Sequence, residues 1–488
     1  MLLRAKMLII AMLMAAVIGS SAAADITLPS IFSDHMVLQQ NSTPKIWGTA
    51  EPGQELTISF NEQEMKVKAD ANGNWETKVK TGGAGGPYQL QIAGADSKII
   101  YDDVMIGEVW ICSGQSNMEW PISKSLNPEI EIAKAKDYPN IRLFTVQHNA
   151  SPTPLTEFSK AIPWSKCSPE TIGDFSATAY FFGRKLNKDL NVPIGLIHVA
   201  WGGTRCEAWT EPSALKDIPI VEPLLEHWET ADEPNSQHRP GNLFNGMISP
   251  LKNVNSSGVI WYQGEANVGR GKQYQSLLPA LIKNWRTHLG NDQLPFLIVQ
   301  LAPYRYETKE PEALAELWDA QLKTHRRVPG TGLVVTHDIG DVKNIHPKNK
   351  QEVGRRLALW ALAKQYNKRL PEEEQEFVYC GPLYESLSVL ENKAIITFDH
   401  SDGGLKSRDD VALTGFTVCG EDKVFHPAVA TIMGDRVELV SDKVLVPVAV
   451  RFGWDDSAEL NLVNDAGLPA SPFRTDDFEL LSEENFFN

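Results

Sequence analysis

A chain of 488 residues is too long for one hydrophobic core, so about two to four domains are expected. Its 42% hydrophobic and 22% charged residues are those of an ordinary globular protein. The formal net charge of −16 argues against a nucleic-acid partner and against docking on an anionic membrane.

The chain begins as an exported protein would. Arg4 and Lys6 precede an apolar run from Met7 to Ile18, and Ala22-Ala23-Ala24 forms an A-x-A cleavage site. Residues 1–24 are therefore read as a secretory leader, and the mature chain as secreted or periplasmic. The apolar run is short for a membrane span, and no later stretch is apolar for long enough to cross a bilayer, so no membrane insertion is expected once the leader is removed. The five cysteines, Cys112, Cys167, Cys206, Cys380 and Cys419, show no metal-ligand spacing. Export permits disulfides among them without requiring any.

Residues 25–104 alternate at strand period in Lys45–Gly48, Leu56–Phe60, Met65–Lys68 and Tyr88–Ile92, with Gly- and Pro-bearing turns between, and predict a small β domain. Residues 105–375 change pattern. Met105–Cys112, Pro193–Ala200, Val259–Tyr262, Phe296–Leu301 and Gly332–Thr336 read as buried strands. Helical spacing covers Ala177–Leu190, Tyr274–Trp285 and Glu352–Tyr366. Such alternation predicts an α/β unit with a mostly parallel sheet and helices on both faces. Leu215–Gly241, charged and proline-bearing, reads as a surface excursion or a lid. Residues 376–488 return to short strands, including Ala394–Phe398, Phe416–Cys419, Arg436–Val440 and Val446–Phe452, and predict a sandwich of antiparallel sheets.

Four segments of the middle domain lie where a predicted strand gives way to a turn. In Gly114-Gln115-Ser116-Asn117, the serine can present its hydroxyl at the carboxyl edge of the sheet, where open α/β folds place their sites. Met118 stands where a Gly-x-Ser-x-Gly elbow has its second glycine, so the segment is not that elbow. In Trp201-Gly202-Gly203-Thr204, Gly202 and Gly203 let the backbone approach a ligand and aim an N–H at developing negative charge. In Trp261-Tyr262-Gln263-Gly264-Glu265-Ala266-Asn267, Gln263 or Asn267 can donate to the same oxyanion. Glu265 there can bind a sugar hydroxyl or hold Arg205. The fourth segment, His337 to Pro347, carries His346, a base suited to take the proton of a serine. An Asp on the other ring nitrogen would fix its tautomer. Taken singly, each segment also fits a plain turn or cap; the ordered set carries the reading.

With these segments in hand, the chain resembles the sialate O-acetylesterases, within the wider SGNH-hydrolase group. The likeness rests on Gly114–Met118, Trp201–Thr204, Trp261–Glu265 and Ile345–Lys350, with Phe32–Gln39 near the start and Leu468–Arg474 near the end. It implies a flavodoxin-like SGNH core flanked by N- and C-terminal β-sandwich-like domains. It also implies hydrolysis of an acetyl ester on a sugar without metal or cofactor, Ser116 as nucleophile and His346 as base. Ser116 N–H, a glycine of Gly202-Gly203 and the Gln263 region would form the oxyanion hole. One position departs from the group's pattern: Lys343 stands three residues before His346, where SGNH hydrolases usually have Asp. The orienting acid is then Asp341, with Asp338 or a backbone carbonyl as alternatives.

The expected function is removal of O-acetyl groups from sialic acid. A neutral plant polysaccharide such as acetyl xylan is the rival substrate. A non-catalytic carbohydrate-binding protein on a hydrolase-like core is the rival of another class.

Overall fold

The computed structural model describes residues 25–307 and 309–487, so the leader expected over 1–24 lies outside the described residues. Numbering only the strands of the central sheet, these are β1 (Lys98–Gly114), β2 (Ile141–Val146), β3 (Ala161–Lys166), β4 (Ile194–Ala200), β5 (Gly258–Tyr262), β6 (Phe296–Val299) and β7 (Thr331–Val334). Their spatial order is β7-β6-β5-β1-β4-β2-β3. Each neighbouring pair is parallel except β2 with β3. β4 and β5, next to β1, are buried at every position, as a sheet covered on both faces requires.

Four longer helices cover it: α1 (Ala177–Leu190), α2 (Gly271–His288), α3 (Glu312–Arg327) and α4 (Lys350–Ala361). Register shows that they divide between the two faces. Trp110 and Gly258 are paired neighbours on β1 and β5, as are Ser113 and Trp261, so the two tryptophans point to opposite sides. Trp110 meets Phe182 of α1 edge-on with ring centroids 4.8 Å apart, and Trp261 meets Trp285 of α2 at 5.7 Å. α1 packs on α4 and α2 on α3. The α/β reading of the middle of the chain is thus what the fold has, with a central sheet that is parallel at every step but β2 to β3.

β1 is much longer than the strand expected over Met105–Cys112. Its first part, Lys98 to Gly107, pairs with Gly85–Ala93 and with Val37–Gln39. Its second part, Glu108 to Gly114, pairs with β4 and β5. The N-terminal strands therefore continue into the central sheet, and the boundary drawn at 104/105 falls inside one strand. Burial explains why the sequence hid this. Lys98–Asp103 alternates between partly buried and exposed, while every residue from Val104 to Gly114 is buried.

At the crossover, the buried Glu108 carboxylate accepts from Gln39 Nε2 (3.0 Å), Gln40 Nε2 (2.5 Å), Tyr366 Oη (3.0 Å), Arg369 Nη1 (2.5 Å) and the Ser257 hydroxyl. Burial alone would raise its pKa, yet these donors and the Arg369 charge hold it below the ordinary value.

The C-terminal part forms two four-stranded antiparallel sheets and a two-stranded one. Leu215–Gly241 contains a short helix, Glu222–Thr230, that buries Leu224 and Trp228. This excursion is tied to α2 by Gln273 Nε2 donating to Ile220 O at 3.0 Å. All five cysteines are buried and free.

Candidate active site

β1 ends at Gly114, whose φ of 145° belongs to glycine and where an added Cβ would lie 2.0 Å from Tyr262 O. The chain can therefore turn against β5 and start a one-turn helix, Ser116–Glu119, with Ser116 only partly buried. On the far side of the sheet edge, β7 runs through Thr336 into the loop that carries His346. The two meet: His346 Nε2 lies 2.8 Å from Ser116 Oγ. The imidazole stacks on Trp120, with centroids 4.5 Å apart and 18° between planes. Its pKa is lowered, first by burial and then by the charges of Lys350 and Lys124, so it is neutral and able to accept a proton at pH 7.

Gly202 lies directly against the serine. A Cβ there would sit 3.2 Å from both Ser116 Cβ and Glu119 Oε2, so a larger residue would press on Ser116. Gly203, by contrast, is exposed and faces open space. The Gly202 N–H donates to Glu119 Oε2 at 2.7 Å, and Glu119 Oε1 pairs with His148 Nε2 at 2.7 Å. The amide expected to face an oxyanion therefore holds a carboxylate here. Burial acts to raise the Glu119 pKa, but the hydrogen bond and charge of His148, with the Gly202 N–H, outweigh it and keep the group ionised. His148 stacks on Trp201 at 4.3 Å and 2°. Two imidazole–indole stacks thus flank Ser116.

Several expected roles change. Asp341 is exposed, and its Oδ1 accepts from Lys343 N–H at 2.9 Å; among the described residues no hydrogen bond joins it to His346. A short turn closed on itself points that carboxylate back to its own backbone. Asp338 is taken by Arg356, which grips both its oxygens at 2.7 and 2.6 Å. His346 is instead placed by its own backbone, whose N–H donates to Asn344 Oδ1 at 3.0 Å.

Gln263 and Asn267 point inward. Gln263 Nε2 donates to Asn267 Oδ1 (2.7 Å) and Thr204 O (3.1 Å), and its Oε1 accepts from Tyr274 Oη (3.0 Å). Asn267 Nδ2 donates to Glu207 Oε2 at 3.0 Å, and Glu207 pairs with Arg270 at 2.8 Å, both charges fully buried. Asn267 thus serves a buried charge pair and Gln263 holds Asn267, and both side chains are fully buried. Arg205 is half-buried beside Arg270 and Glu207, and burial lowers its pKa.

Glu265 is buried as well. Its Oε1 accepts from Asn117 Nδ2 at 2.5 Å, and its Oε2 has no hydrogen-bond partner among the described residues. Glu119, His148 and Trp120 were not singled out from sequence. Glu119 is one helical turn after Ser116, a spacing that could have found it; nothing local marks His148.

Residues 106–363, more than half of the chain, match the family described as carbohydrate esterase, sialic acid-specific acetylesterase. Sialate O-acetylesterase of Homo sapiens is 29% identical over 93% of this chain and 93% of its own length, and that of Mus musculus is 28% identical over 91% and 92%. A solved carbohydrate acetylesterase from Xanthomonas citri superposes with a TM-score of 0.84 at 38% identity, over 93% of this chain and all of that one. With the Ser116–His346 contact at the sheet edge, these findings define a carboxylic ester hydrolase of the carbohydrate-esterase class. The chain belongs to the sialic acid-specific acetylesterase family, the family its motifs resemble.

Proposed function

We propose that the protein is an exported carbohydrate O-acetylesterase that works through an acetyl-serine intermediate. The observation that carries this reading is the 2.8 Å contact between Ser116 Oγ and His346 Nε2, with a neutral imidazole to receive the proton. Ser116 Oγ attacks the acetyl carbonyl carbon while His346 Nε2 takes its proton. The bond to the sugar oxygen then breaks, and His346 returns the proton to that oxygen. Water, deprotonated by the same nitrogen, attacks the carbonyl carbon of acetyl-Ser116; the bond to Ser116 Oγ breaks, His346 returns the proton to that oxygen, and acetate leaves.

The oxyanion takes its donors from Ser116 N–H and Gly202 N–H, the second becoming available when Glu119 yields it to the acyl oxygen. The strand order supports an SGNH, flavodoxin-like core. With β2 and β3 taken as an edge addition, β4-β1-β5-β6-β7 follows the 2-1-3-4-5 order of that fold.

O-acetylated sialic acid is the proposed substrate, on the names of the relatives. A specific observation favours a second reading: an ionised Glu119 next to Ser116 repels an anionic sugar and suits a neutral one such as acetylated xylose. Acetate release from both substrate types, measured side by side, separates them. A fluorophosphonate probe tests the chemistry itself. Labelling of the wild type but not of Ser116→Ala supports the enzyme; no labelling of either would return the chain to a carbohydrate-binding role. Export rests on the leader read over 1–24 and is checked by sequencing the amino terminus of the protein recovered outside the cytoplasm.

A further inference from the structure

We propose that Asn117, held between Lys350 and Glu265, is a positioning residue that locks the nucleophile segment to the base segment. This inference rests on the Ser116–His346 reading. Asn117 directly follows Ser116, and Ile345 directly precedes His346. One side-chain amide spans the two: Asn117 Nδ2 donates to Ile345 O at 2.9 Å and to Glu265 Oε1 at 2.5 Å. Its oxygen accepts from Lys350 Nζ at 2.5 Å. A residue next to the nucleophile is therefore bonded, through one planar group, to a residue next to the base.

The surroundings leave that amide one orientation. Asn117 and Glu265 are buried, and Lys350 is fully buried with its ammonium 5.1 Å from the centre of the Tyr262 ring. If the amide were flipped, its NH2 would face the ammonium and its oxygen would face a carboxylate and a carbonyl, so every contact would become repulsive. Lys350 and Glu265 act as opposite poles that set the direction of the amide between them. Each segment is also fixed independently. Thr178 Oγ1 donates to Asn117 O at 3.2 Å, and Lys350 opens α4, which packs against α1.

Burying two charges at the end of a sheet is costly, and among the described residues Glu265 Oε2 has no hydrogen-bond partner to offset it. Burial lowers the Lys350 pKa to about 7 and raises that of Glu265, as expected where two charges are kept out of water. Packing alone does not call for such a pair. Holding two loops that are 230 positions apart in sequence within hydrogen-bond reach does.

The test is steady-state kinetics on Asn117→Ala and Lys350→Met, each checked for native circular dichroism, with acetate release as readout. Asn117→Ala is expected to lose about tenfold or more in kcat with KM changed by less than about twofold, because the loss falls on alignment and not on sugar binding. Lys350→Met also removes one of the two cations bearing on His346, Lys124 being the other. The acid limb of its kcat/KM profile should therefore move up by a few tenths of a pH unit, roughly. A purely structural role would not move that limb.

A folded Asn117→Ala enzyme with wild-type kcat, or a Lys350→Met enzyme whose acid limb stays in place, would overturn the proposal. Should Asn117→Ala fail to fold, Asn117→Asp replaces it. That variant keeps the contact with Lys350 but sets a carboxylate against Glu265 and Ile345 O, and the same kcat loss at unchanged KM is expected. Ser116→Ala is run alongside: if it retains activity, the underlying mechanism has failed, whereas an inactive Ser116→Ala with unaffected Asn117 variants removes the positioning role alone.

Discussion

At the residue scale, the proposed chemistry comes down to one hydroxyl, one imidazole and the carboxylate that shares their corner. Ser116→Ala removes the hydroxyl proposed to be acylated, so kcat should fall by about 10³-fold or more with melting temperature nearly unchanged; wild-type turnover would end the acyl-enzyme scheme. His346 must be neutral to accept a proton. Its pKa lies below the 6.5 of a free histidine, so activity should persist to lower pH than an unperturbed imidazole would allow. A kcat/KM profile is expected to show its acid midpoint below 6.5, and a midpoint above that value would contradict the site's electrostatics.

The meeting of Ser116 and His346 is legible in sequence because each follows an apolar strand and each is flanked by small or polar turn residues. Asp341 was misjudged for a physical reason: sequence spacing places a carboxylate near a histidine but does not say that Lys343 N–H will claim it first. Glu119 went unnoticed because a glutamate beside a tryptophan has no signature of its own until Gly202, some eighty positions on, is folded against it.

At the scale of elements, the turn after β5 is held by a buried network and not by solvent. Glu207, Arg270, Asn267 and Gln263 lie within it, none with appreciable exposure. Removing one charge of a buried pair leaves the other unpaired. Arg270→Met should therefore cost roughly 3–5 kcal/mol, read as a lower midpoint in urea unfolding. A change within about 0.5 kcal/mol would mean that Glu207 is satisfied without its arginine.

The same network shows where sequence reading ran out. Polar residues in a predicted turn look solvated and available, yet Gln263 and Asn267 are wholly enclosed. Helix α1 was read to its observed ends, since Asn191 in the left-handed conformation and the Ser176 cap mark them locally. Helix α3 escapes the sequence reading although Glu312, Glu316, Asp319 and Lys323 recur at helical spacing; in the fold Ala313 to Leu322 is nonetheless buried throughout, Glu316 and Asp319 included.

At the scale of the whole molecule, three histidines, His198 and His337 buried and His325 partly so, tie stability to pH. Burial lowers His198 and His325 to about 4 and His337 to about 3. The unfolded chain binds protons at these positions near pH 6.5, and the folded chain refuses them until much lower pH. Their contribution is therefore complete above about pH 6.5 and is lost progressively as pH falls towards 4, by up to about 3 kcal/mol each. Melting temperature measured from pH 7 to pH 4 should fall steadily across that window. A flat curve would show that these rings are protonated in the native state.

The unbroken run of Lys98–Gly114 from the N-terminal strands into the centre of the sheet has a consequence for anyone who would graft or trim this protein. Backbone in that run behaves as a rod of fixed count. One residue inserted ahead of Gly107 reverses which side chains face inward from there on, turns Glu108 off its five donors, and carries the far tip forward by about 3.4 Å. That advance exceeds the reach of a hydrogen bond. The amino-terminal β unit is thus no interchangeable cassette: a transplant that does not conserve the number of residues in this rod would misplace the reactive hydroxyl from more than thirty ångströms' length of strand away, counted roughly from Lys98.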